Sequence, residues 1–364
     1  MSRSGIEPKR PWRRVPAEIR HAVAGVLGAP VVRGARVWGG YGPTPTFRLL
    51  LADGRRAFVK GCSPDSNPVM REGFLLEVRV YAELRQHISQ WAPVLYGHFR
   101  LGDWEMLVLQ DLGPKSVPPW TPRLTRSIMH ALAAFHLEVK RTEIPPWISS
   151  LVTWLDKQGA LWAWSQDRIQ AASRASVGGP IAAEAATWFS RHGLRLAHVS
   201  QGLLKPGARP QLLHGDVRSD NMRWNQNRLF LLDWASVLAG APEFEVACLA
   251  QSIAVEGGPA PERTTAWYQE VTPLDPALLD AAVCCVAGFF AERAWREELP
   301  GMPRLRTFQR QQLLVSLRWA LERLGLEVPW WLNTMAEVAF CGRASGTLPK
   351  NTIPCYPDDT HGSG

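Results

Sequence analysis

The sequence predicts an α+β fold with two lobes, a small antiparallel sheet followed by a larger, mainly helical part. Three observations support this prediction. Residues 31–110 contain short apolar runs separated by glycine, proline and Asp-Gly pairs, which is typical of β-hairpins. Long segments after residue 122 instead place apolar residues at helical spacing. Between the two lies DLGPKSVPPWTP, whose prolines end regular structure.

These changes of pattern divide the chain of 364 residues, which is long enough to bury a substantial core, into four segments. We expect a basic N-terminal arm with a short helix, a sheet lobe, a helical lobe and a C-terminal tail. Their predicted bounds are residues 1–30, 31–112, 113–345 and 346–364.

The predicted elements of the sheet lobe follow in order. VVRGARVW is a strand, GGYGPTPT a loop, and TFRLLLADGRRAFVKG a hairpin that turns at Asp53-Gly54. Apolar residues at helical spacing predict one helix over Met70–Ile88. VLYGHFRLGDWEMLVLQ is a second hairpin, turning at Gly102-Asp103. One helix therefore interrupts the predicted sheet.

The helical lobe contains RLTRSIMHALAAFHLEV and LRTFQRQQLLVSLRWALERLG, both with helical spacing. Its most apolar segment, Ala281–Ala291, is too short to cross a bilayer and predicts a buried helix. No apolar run of signal-peptide length begins the chain. The six cysteines form no CxxC pair and have no histidine at metal-ligand spacing. We therefore expect reduced thiols, no membrane span and a cytoplasmic protein.

The formal charge of +8 is concentrated near the N-terminus. Residues 1–36 contain eight basic and two acidic residues, which leaves only +2 for the rest of the chain. A basic groove that follows nucleic-acid phosphates along the molecule is therefore disfavoured. We expect the basic arm to be dispensable for activity.

The stretch LLHGDVRSDNMRWNQNRLFLLDWAS places polar residues around a predicted hairpin of MRW and RLFLL. Asn221 stands at the entry of the hairpin, Asp233 at its exit and Asp216 in the loop before it. Folding the hairpin back brings these side chains together. One Asp and one Asn suit a Mg²⁺ ion that carries phosphates. The remaining Asp can deprotonate an attacking hydroxyl.

The sheet lobe contains a lysine, a carboxylate and a glycine-bearing loop, which phosphate transfer would need. Lys60 ends the strand AFVK, and Glu77 lies on the helix that follows. The glycine-bearing loop GGYG, with Gly39 and Gly40, precedes them, although it does not fit the GxGxxG pattern. The ordered set predicts a nucleotide-phosphate site.

With these residues in place, the chain resembles the aminoglycoside phosphotransferase family, small-molecule kinases with a protein-kinase-like fold. HGDVRSDN resembles that family's HGDxxxxN catalytic loop, and LLDW resembles its metal-binding Asp motif. The resemblance extends over about residues 31–324. LRTFQRQQLLVSLRWALERLG also resembles the late helices of the family.

The resemblance implies a role for each residue. Asp216 would be the catalytic base, and Asn221 and Asp233 would be the Mg²⁺ ligands. The other implied residues would bind ATP. Lys60, oriented by Glu77, would contact the phosphates, and Gly39 and Gly40 would cover them. The backbone of Gln110 and Leu112 would bind the adenine.

Two features depart from the family pattern. GAPEFEVA replaces GDPxxDLA, so Glu245 stands where a structural Asp is expected to cap the catalytic loop. Pro43 and Pro45 stiffen the phosphate loop. We interpret His214 as a brace for the loop backbone and His136 as a residue that closes a helix face.

The resemblance implies an ATP-dependent phosphotransferase that acts on a hydroxyl of a small molecule. Choline, ethanolamine, homoserine and sugar kinases on the same fold stay open as alternatives, as does a catalytically silent nucleotide-binding adaptor that uses the basic arm. The oligomeric state is open too. A polycationic acceptor would need an acidic cleft. The glutamates that could supply it are Glu243, Glu245, Glu256, Glu262, Glu292, Glu297 and Glu298.

Overall fold

The computed structural model describes residues 10–37, 44–66, 68–157, 180–204, 210–294, 296 and 305–333. Gly39 and Gly40, the tail at 346–364, and Glu297 and Glu298 lie outside these ranges. In the described part, no helix is long and apolar enough to cross a membrane.

The sheet lobe contains five antiparallel strands in the order β1-β2-β3-β5-β4. Their bounds are β1 Val31–Arg36, β2 Thr46–Leu51, β3 Arg56–Cys62, β4 Leu95–Leu101 and β5 Trp104–Gln110. The turns that join β2 to β3 and β4 to β5 lie at the predicted Asp-Gly and Gly-Asp pairs. Gly54 has φ +83° and Gly102 has φ +57°, a backbone region that glycine adopts without strain. The two predicted hairpins are confirmed.

Part of the predicted basic arm packs onto this sheet. After a 3-10 turn at Trp12–Arg14, helix α1 (Ala17–Leu27) covers one sheet face. The buried residues of this region, Trp12, Val15, Ile19, Val23 and Leu27, share a core with Phe47 and Leu49. Removing the whole arm would expose that core, so our expectation that the arm is dispensable is wrong for residues 12–27.

The single helix predicted over residues 70–88 is divided in two. Helix α2 spans Pro68–Glu83 and α3 spans Arg85–Ile88. Leu84 separates them with φ −107° and ψ 8°, outside the helical region. The buried face of α2 includes Phe74, Glu77 and Tyr81, whereas Leu75 is 42% exposed. A carboxylate thus occupies an apolar stripe of the helix.

The helical lobe follows the prediction in outline. Its helices are α4 Pro122–Val139, α5 Leu151–Lys157, α6 Pro180–Ser200, α7 Pro242–Val255, α8 Pro261–Gln269, α9 Pro276–Arg293 and α10 Leu305–Arg323. Helix α9 contains the predicted apolar segment and packs against α6, α7 and α10, which explains why most of its residues are buried. Thr121 caps α4 by accepting a hydrogen bond from the Leu124 amide.

Two short sheets interrupt the helices and position the polar stretch. Strand β6 (Gln211–Leu213) pairs with β9 (Leu238–Gly240), and β7 (Met222–Asn225) pairs with β8 (Arg228–Leu231). Gln226 and Asn227, which join β7 to β8, both have positive φ, as a two-residue primed turn requires. The predicted hairpin between Asn221 and Asp233 is confirmed.

Candidate active site

The conformation of the loop after β6 depends on a buried histidine, His214, and on a glycine, Gly215, whose position has no room for a side chain. His214 is fully buried; its Nε2 donates to the Leu232 carbonyl at 2.9 Å. Burial lowers the pKa of His214, which favours the neutral ring. Gly215 has φ +83°, and a Cβ there would lie 1.8 Å from the Ser236 carbonyl oxygen. The histidine therefore braces the loop, as predicted.

Glu245 does cap this loop, even though a shorter Asp was expected. Its Oε1 accepts from the Gly215 amide at 2.6 Å, and its Oε2 accepts from His136 Nε2 at 2.8 Å. His136 Nδ1 lies 2.7 Å from the Tyr268 hydroxyl. Burial acts to raise the pKa of Glu245, but His136 and the Gly215 amide outweigh it and lower that pKa. The glutamate thus bridges α4 and the loop before Asp216.

We expect Glu245→Asp to lower the free energy of unfolding by about 1–3 kcal/mol, the cost of leaving one buried partner unsatisfied. A carboxylate that is one methylene shorter cannot reach both the Gly215 amide and the His136 ring. Urea denaturation measures the change. Glu322→Asp, at an exposed position of α10, is the control for the helix propensity of aspartate. Equal stabilities of the two variants would contradict a capping role.

Asp216 and Asn221 lie side by side in the loop. Asn221 Nδ2 donates to the Asp216 carbonyl at 3.0 Å and to Asp216 Oδ2 at 2.7 Å. The same Oδ2 lies 3.3 Å from Arg218 Nε. Burial raises the pKa of Asp216, and the opposing effect of Arg218 does not cancel the shift. Asp216 and Asn221 are therefore brought together as predicted. Arg218, which the sequence did not single out, lies beside them.

Asp233 connects the hairpin exit to the sheet lobe. Its Oδ1 lies 2.9 Å from Lys60 Nζ, and Lys60 also forms an ion pair with Glu77 Oε2. Glu77 is only 1% exposed. Asp233 has φ +64°, which is uncommon for a residue other than glycine and frequent at functional sites. Helix α2 packs on the turn Trp234–Ser236, and this contact places Glu77 near Asp233.

The charges in this cluster stabilise one another. Burial acts to lower the pKa of Lys60, but Asp233 and Glu77 outweigh it and raise that pKa. Lys60 in turn lowers the pKa of Asp233. Burial raises the pKa of Glu77, and Lys60 opposes that shift. A lysine between two carboxylates stays protonated, which suits a group that contacts phosphates.

The predicted hinge follows β5. Gln110 is the last residue of that strand, and its amide donates to the Val94 carbonyl at 2.9 Å. Leu112 lies two residues beyond the strand and is half-buried. Both residues therefore lie in the segment that joins the two lobes.

An arginine from each lobe is attached to this hinge. Arg48 Nε lies 3.2 Å from Asp111 Oδ1, and Arg48 also donates to the Gly113 carbonyl. Arg223 Nε donates to the same carbonyl at 3.3 Å. Burial, with Arg48 nearby, lowers the pKa of Arg223 to about 10. The Gly113 carbonyl thus accepts from both arginines where the lobes meet, and Asp111 forms an ion pair with Arg48.

The glutamates expected to form an acidic cleft already have partners. Glu245 is 2% exposed and lines no cavity of the described residues, so the interpretation of Glu245 as a cleft residue is wrong. Glu243 is 6% exposed and does line a cavity, together with Tyr268 and Asp275. Glu243 accepts from the Asp275 amide. The other described members, Glu256, Glu262 and Glu292, accept hydrogen bonds from Trp120, Trp319 and Arg296.

Comparison with known proteins identifies the family and the fold of the chain. The sequence matches the phosphotransferase enzyme family over residues 34–323. A protein from Thermobifida fusca YX-ER1, assigned as a fructosamine-3-kinase, has a similar structure: TM-score 0.55, 20% identity, and coverage of 84% of this chain and 98% of that one. A search of curated proteins found no match.

Two further solved structures have the same fold. Spectinomycin phosphotransferase, in complex with ADP and spectinomycin, is 12% identical, with TM-score 0.52 over 89% of this chain and 97% of that one. Amicoumacin kinase, in complex with AMP-PNP and Ca²⁺, is 12% identical, with TM-score 0.52 over 84% and 95%. The predicted protein-kinase-like fold and phosphotransferase class are confirmed, and the chain belongs to the phosphotransferase enzyme family.

Proposed function

We propose that this protein transfers the γ-phosphate of ATP to a hydroxyl group of a small molecule. The observation that carries the proposal is the cluster at the junction of the lobes. Lys60 and Glu77 of the sheet lobe meet Asp233 there, and Asp216 and Asn221 form a second pair in the loop before the hairpin. These side chains supply a phosphate-binding cation, metal ligands and a base.

Asp216 is the proposed base. Asn221 donates a hydrogen bond to its Oδ2 and Arg218 forms an ion pair with the same oxygen, whereas no described residue donates a hydrogen bond to its Oδ1. The side chain is 41% exposed, so a hydroxyl can approach that oxygen. The acceptor oxygen forms a bond to the γ-phosphorus, and its proton passes to Asp216. The bond from the γ-phosphorus to the bridging oxygen breaks, and ADP leaves with that electron pair.

The residues present fit a Mg²⁺ ion. Asn221 uses its Nδ2 on Asp216, and no described residue contacts its Oδ1. Asp233 is a partly exposed carboxylate. In the described part of the chain, no three His, Cys, Asp or Glu side chains converge to hold a metal. Asn221 and Asp233 would hold the ion together with phosphates and water, and the bound ion would neutralise phosphate charge.

The roles of the nucleotide-binding residues are further parts of the proposal. Lys60 contacts the phosphates, and Glu77 orients it from the buried face of α2. Gly39 and Gly40 cover the phosphates, and the backbone of Gln110 and Leu112 binds adenine. We also propose a cytoplasmic location, where ATP is available and the free thiols of the described cysteines would stay reduced.

We expect Lys60→Ala to lower kcat/KM for ATP by about 10²- to 10³-fold, because the phosphates lose a fixed cation. Glu77→Gln should lower it by only about tenfold, because Lys60 loses one ion-pair partner but keeps its contact with Asp233. Steady-state ADP release measures both. Glu72→Gln, at an exposed position of the same helix, is the control. Negligible effects of both variants would exclude this arrangement of the sheet lobe.

The acceptor class is tested with a panel of hydroxyl compounds. The similar structures include a spectinomycin phosphotransferase and a protein assigned as a fructosamine-3-kinase, which supports a small hydroxylated acceptor. We expect Mg²⁺-ATP turnover to rise with at least one aminoglycoside, fructosamine, choline, ethanolamine, homoserine or simple sugar. The product should gain the mass of one phosphate on oxygen. Stimulation by a polypeptide alone would overturn the small-molecule proposal, and nucleotide binding without turnover would indicate a silent adaptor.

A further inference from the structure

We propose that the helical lobe contains a second binding site, which takes a small organic cation with an apolar body. The site is a cavity of about 990 Å³, lined by the ends of α4 and α6, the start of α9 and the strand pair β6–β9. Cavities of this volume are typical of small-molecule sites. None of the described residues that line it belongs to the proposed phosphate-transfer cluster, so the inference does not depend on the proposed function.

The buried wall of the cavity presents hydrogen-bond acceptors that have no donor. Gln211 is only 9% exposed, and its Oε1 has no hydrogen-bond partner in the described part of the chain. Glu243 accepts from the Asp275 amide with its Oε1, whereas no described residue donates to its Oε2. Gln211 pairs with Gly240, which lies three residues before Glu243, so the two acceptors lie at the same end of the strand pair. A ligand with N–H groups would satisfy both.

The charges around the cavity favour a cation. The carboxylates of Glu243, Asp275 and Asp280 line it, and Arg323 pairs with Asp280 at 2.6 Å. Lys140 is the only lysine or arginine among the described lining residues, and it is exposed. Glu243 is buried and forms no ion pair with a described residue. Because carboxylates are rarely buried without a partner, an ammonium group in the cavity would supply the missing one.

Most of the remaining lining is apolar, which calls for an apolar body on the ligand. Leu151 and Leu203 are buried in the wall. Leu137, Val152 and Leu204 also line the cavity and are between 37% and 44% exposed. Grouped apolar side chains that are open to solvent commonly mark a binding site.

A chain of hydrogen bonds separates the cavity from the catalytic loop. Tyr268 and His136 line the cavity and contact each other. His136 donates to Glu245, which in turn accepts from the Gly215 amide. Asp216 follows Gly215 but does not line the cavity. A ligand bound here would therefore contact the support of the loop and leave the proposed nucleotide and acceptor positions free.

The experiment measures the binding of tryptamine to the full chain by calorimetry. Tryptophol, with a hydroxyl in place of the ammonium, and indole-3-acetate, with a carboxylate, are the matched probes. We expect tryptamine to bind at least tenfold more tightly than tryptophol, since a charge-assisted hydrogen bond to Glu243 is lost in the alcohol. Indole-3-acetate should not bind. Saturating Mg²⁺-AMP-PNP should leave the affinity for tryptamine unchanged.

Two variants test the acceptors separately. Glu243→Gln should weaken tryptamine binding by about tenfold or more, while its amide oxygen can still accept from the Asp275 amide. Gln211→Leu should weaken it by about three- to tenfold without lowering the melting temperature, because the Gln211 side chain forms no hydrogen bond with a described residue. Glu72→Gln, at an exposed position of α2, is the control and should bind tryptamine like the wild type.

Several results would overturn the inference. Absence of tryptamine binding, equal affinities for the three probes, or an unchanged affinity in Glu243→Gln would exclude a cation site. A lower melting temperature of Gln211→Leu would show that Gln211 serves the fold and not a ligand. Displacement of tryptamine by Mg²⁺-AMP-PNP, or by a compound of the panel that stimulates turnover, would place it in the site of phosphate transfer instead.

Discussion

Replacing Asp216 with Asn is expected to lower kcat by about 10²- to 10⁴-fold, the usual contribution of a positioned general base. Asparagine has the same shape, and its oxygen can still accept from Asn221 Nδ2, so the loop should keep its conformation. What is lost is the group that takes the proton from the acceptor hydroxyl. KM for ATP should stay near its wild-type value, because the proposed phosphate and metal contacts belong to Lys60 and Asp233. Steady-state ADP release at saturating acceptor measures both constants.

The same substitution elsewhere in the loop is the control for this result. Asp220→Asn also removes a carboxylate charge from the loop, but the side chain pairs with Lys115 and lies outside the proposed proton path. It should change kcat by less than about tenfold. A wild-type kcat in Asp216→Asn, with the variant as stable as the parent protein, would show that another group accepts the proton.

Much of the fold could be predicted because the signals are local. The turns at Asp53-Gly54 and Gly102-Asp103 need a positive φ at the glycine, and such dipeptides favour a turn because glycine adopts that φ without strain. The long helices are likewise predictable from spacing. The loop, hairpin and following Asp lie within one short stretch, so the hairpin between Asn221 and Asp233 could be predicted from the sequence alone.

Contacts between distant segments could not be predicted in this way. The ion pair between Lys60 and Asp233 joins residues 173 positions apart, and only the resemblance suggested that both serve one site. The spacing of buried residues from α2 to α3 also singles out Glu77. Phe74, Glu77, Tyr81, Leu84 and Ile88 recur every three or four residues and are all buried, which marks Glu77 as a carboxylate in an apolar stripe.

The other differences between the predicted and the observed structure also arise from contacts between distant segments. Helix propensity did not predict the break at Leu84, where the chain leaves helical geometry between α2 and α3. Nor did composition predict that Trp12 and its neighbours would share a core with the sheet. The capping by Glu245 depends on the depth at which α7 packs, and a longer side chain reaches both the loop amide and His136. Such distances are set by tertiary packing.

Replacing Asp233 with Asn is expected to weaken Mg²⁺-dependent nucleotide binding by about 10²-fold or more, because the proposed metal loses its only carboxylate ligand. Turnover should fall to background for the same reason. Asparagine is a better choice than alanine here, since Asp233 has φ +64° and asparagine tolerates that region while alanine does not. Calorimetric titration with ATP, with and without Mg²⁺, separates the metal-dependent part of the affinity from the rest.

The variant also removes a partner of Lys60, so a loss of affinity alone could come from a displaced lysine. Titration without Mg²⁺ distinguishes the two causes. If Asp233 holds the metal, affinity for metal-free ATP should stay the same or rise, because Lys60 is released from its ion pair and can contact the phosphates. Asp103→Asn, at an exposed turn of the sheet lobe, is the matched control and should bind Mg²⁺-ATP like the wild type. Unchanged Mg²⁺-ATP affinity in Asp233→Asn would mean that the metal is held elsewhere and that the hairpin serves only to anchor Lys60.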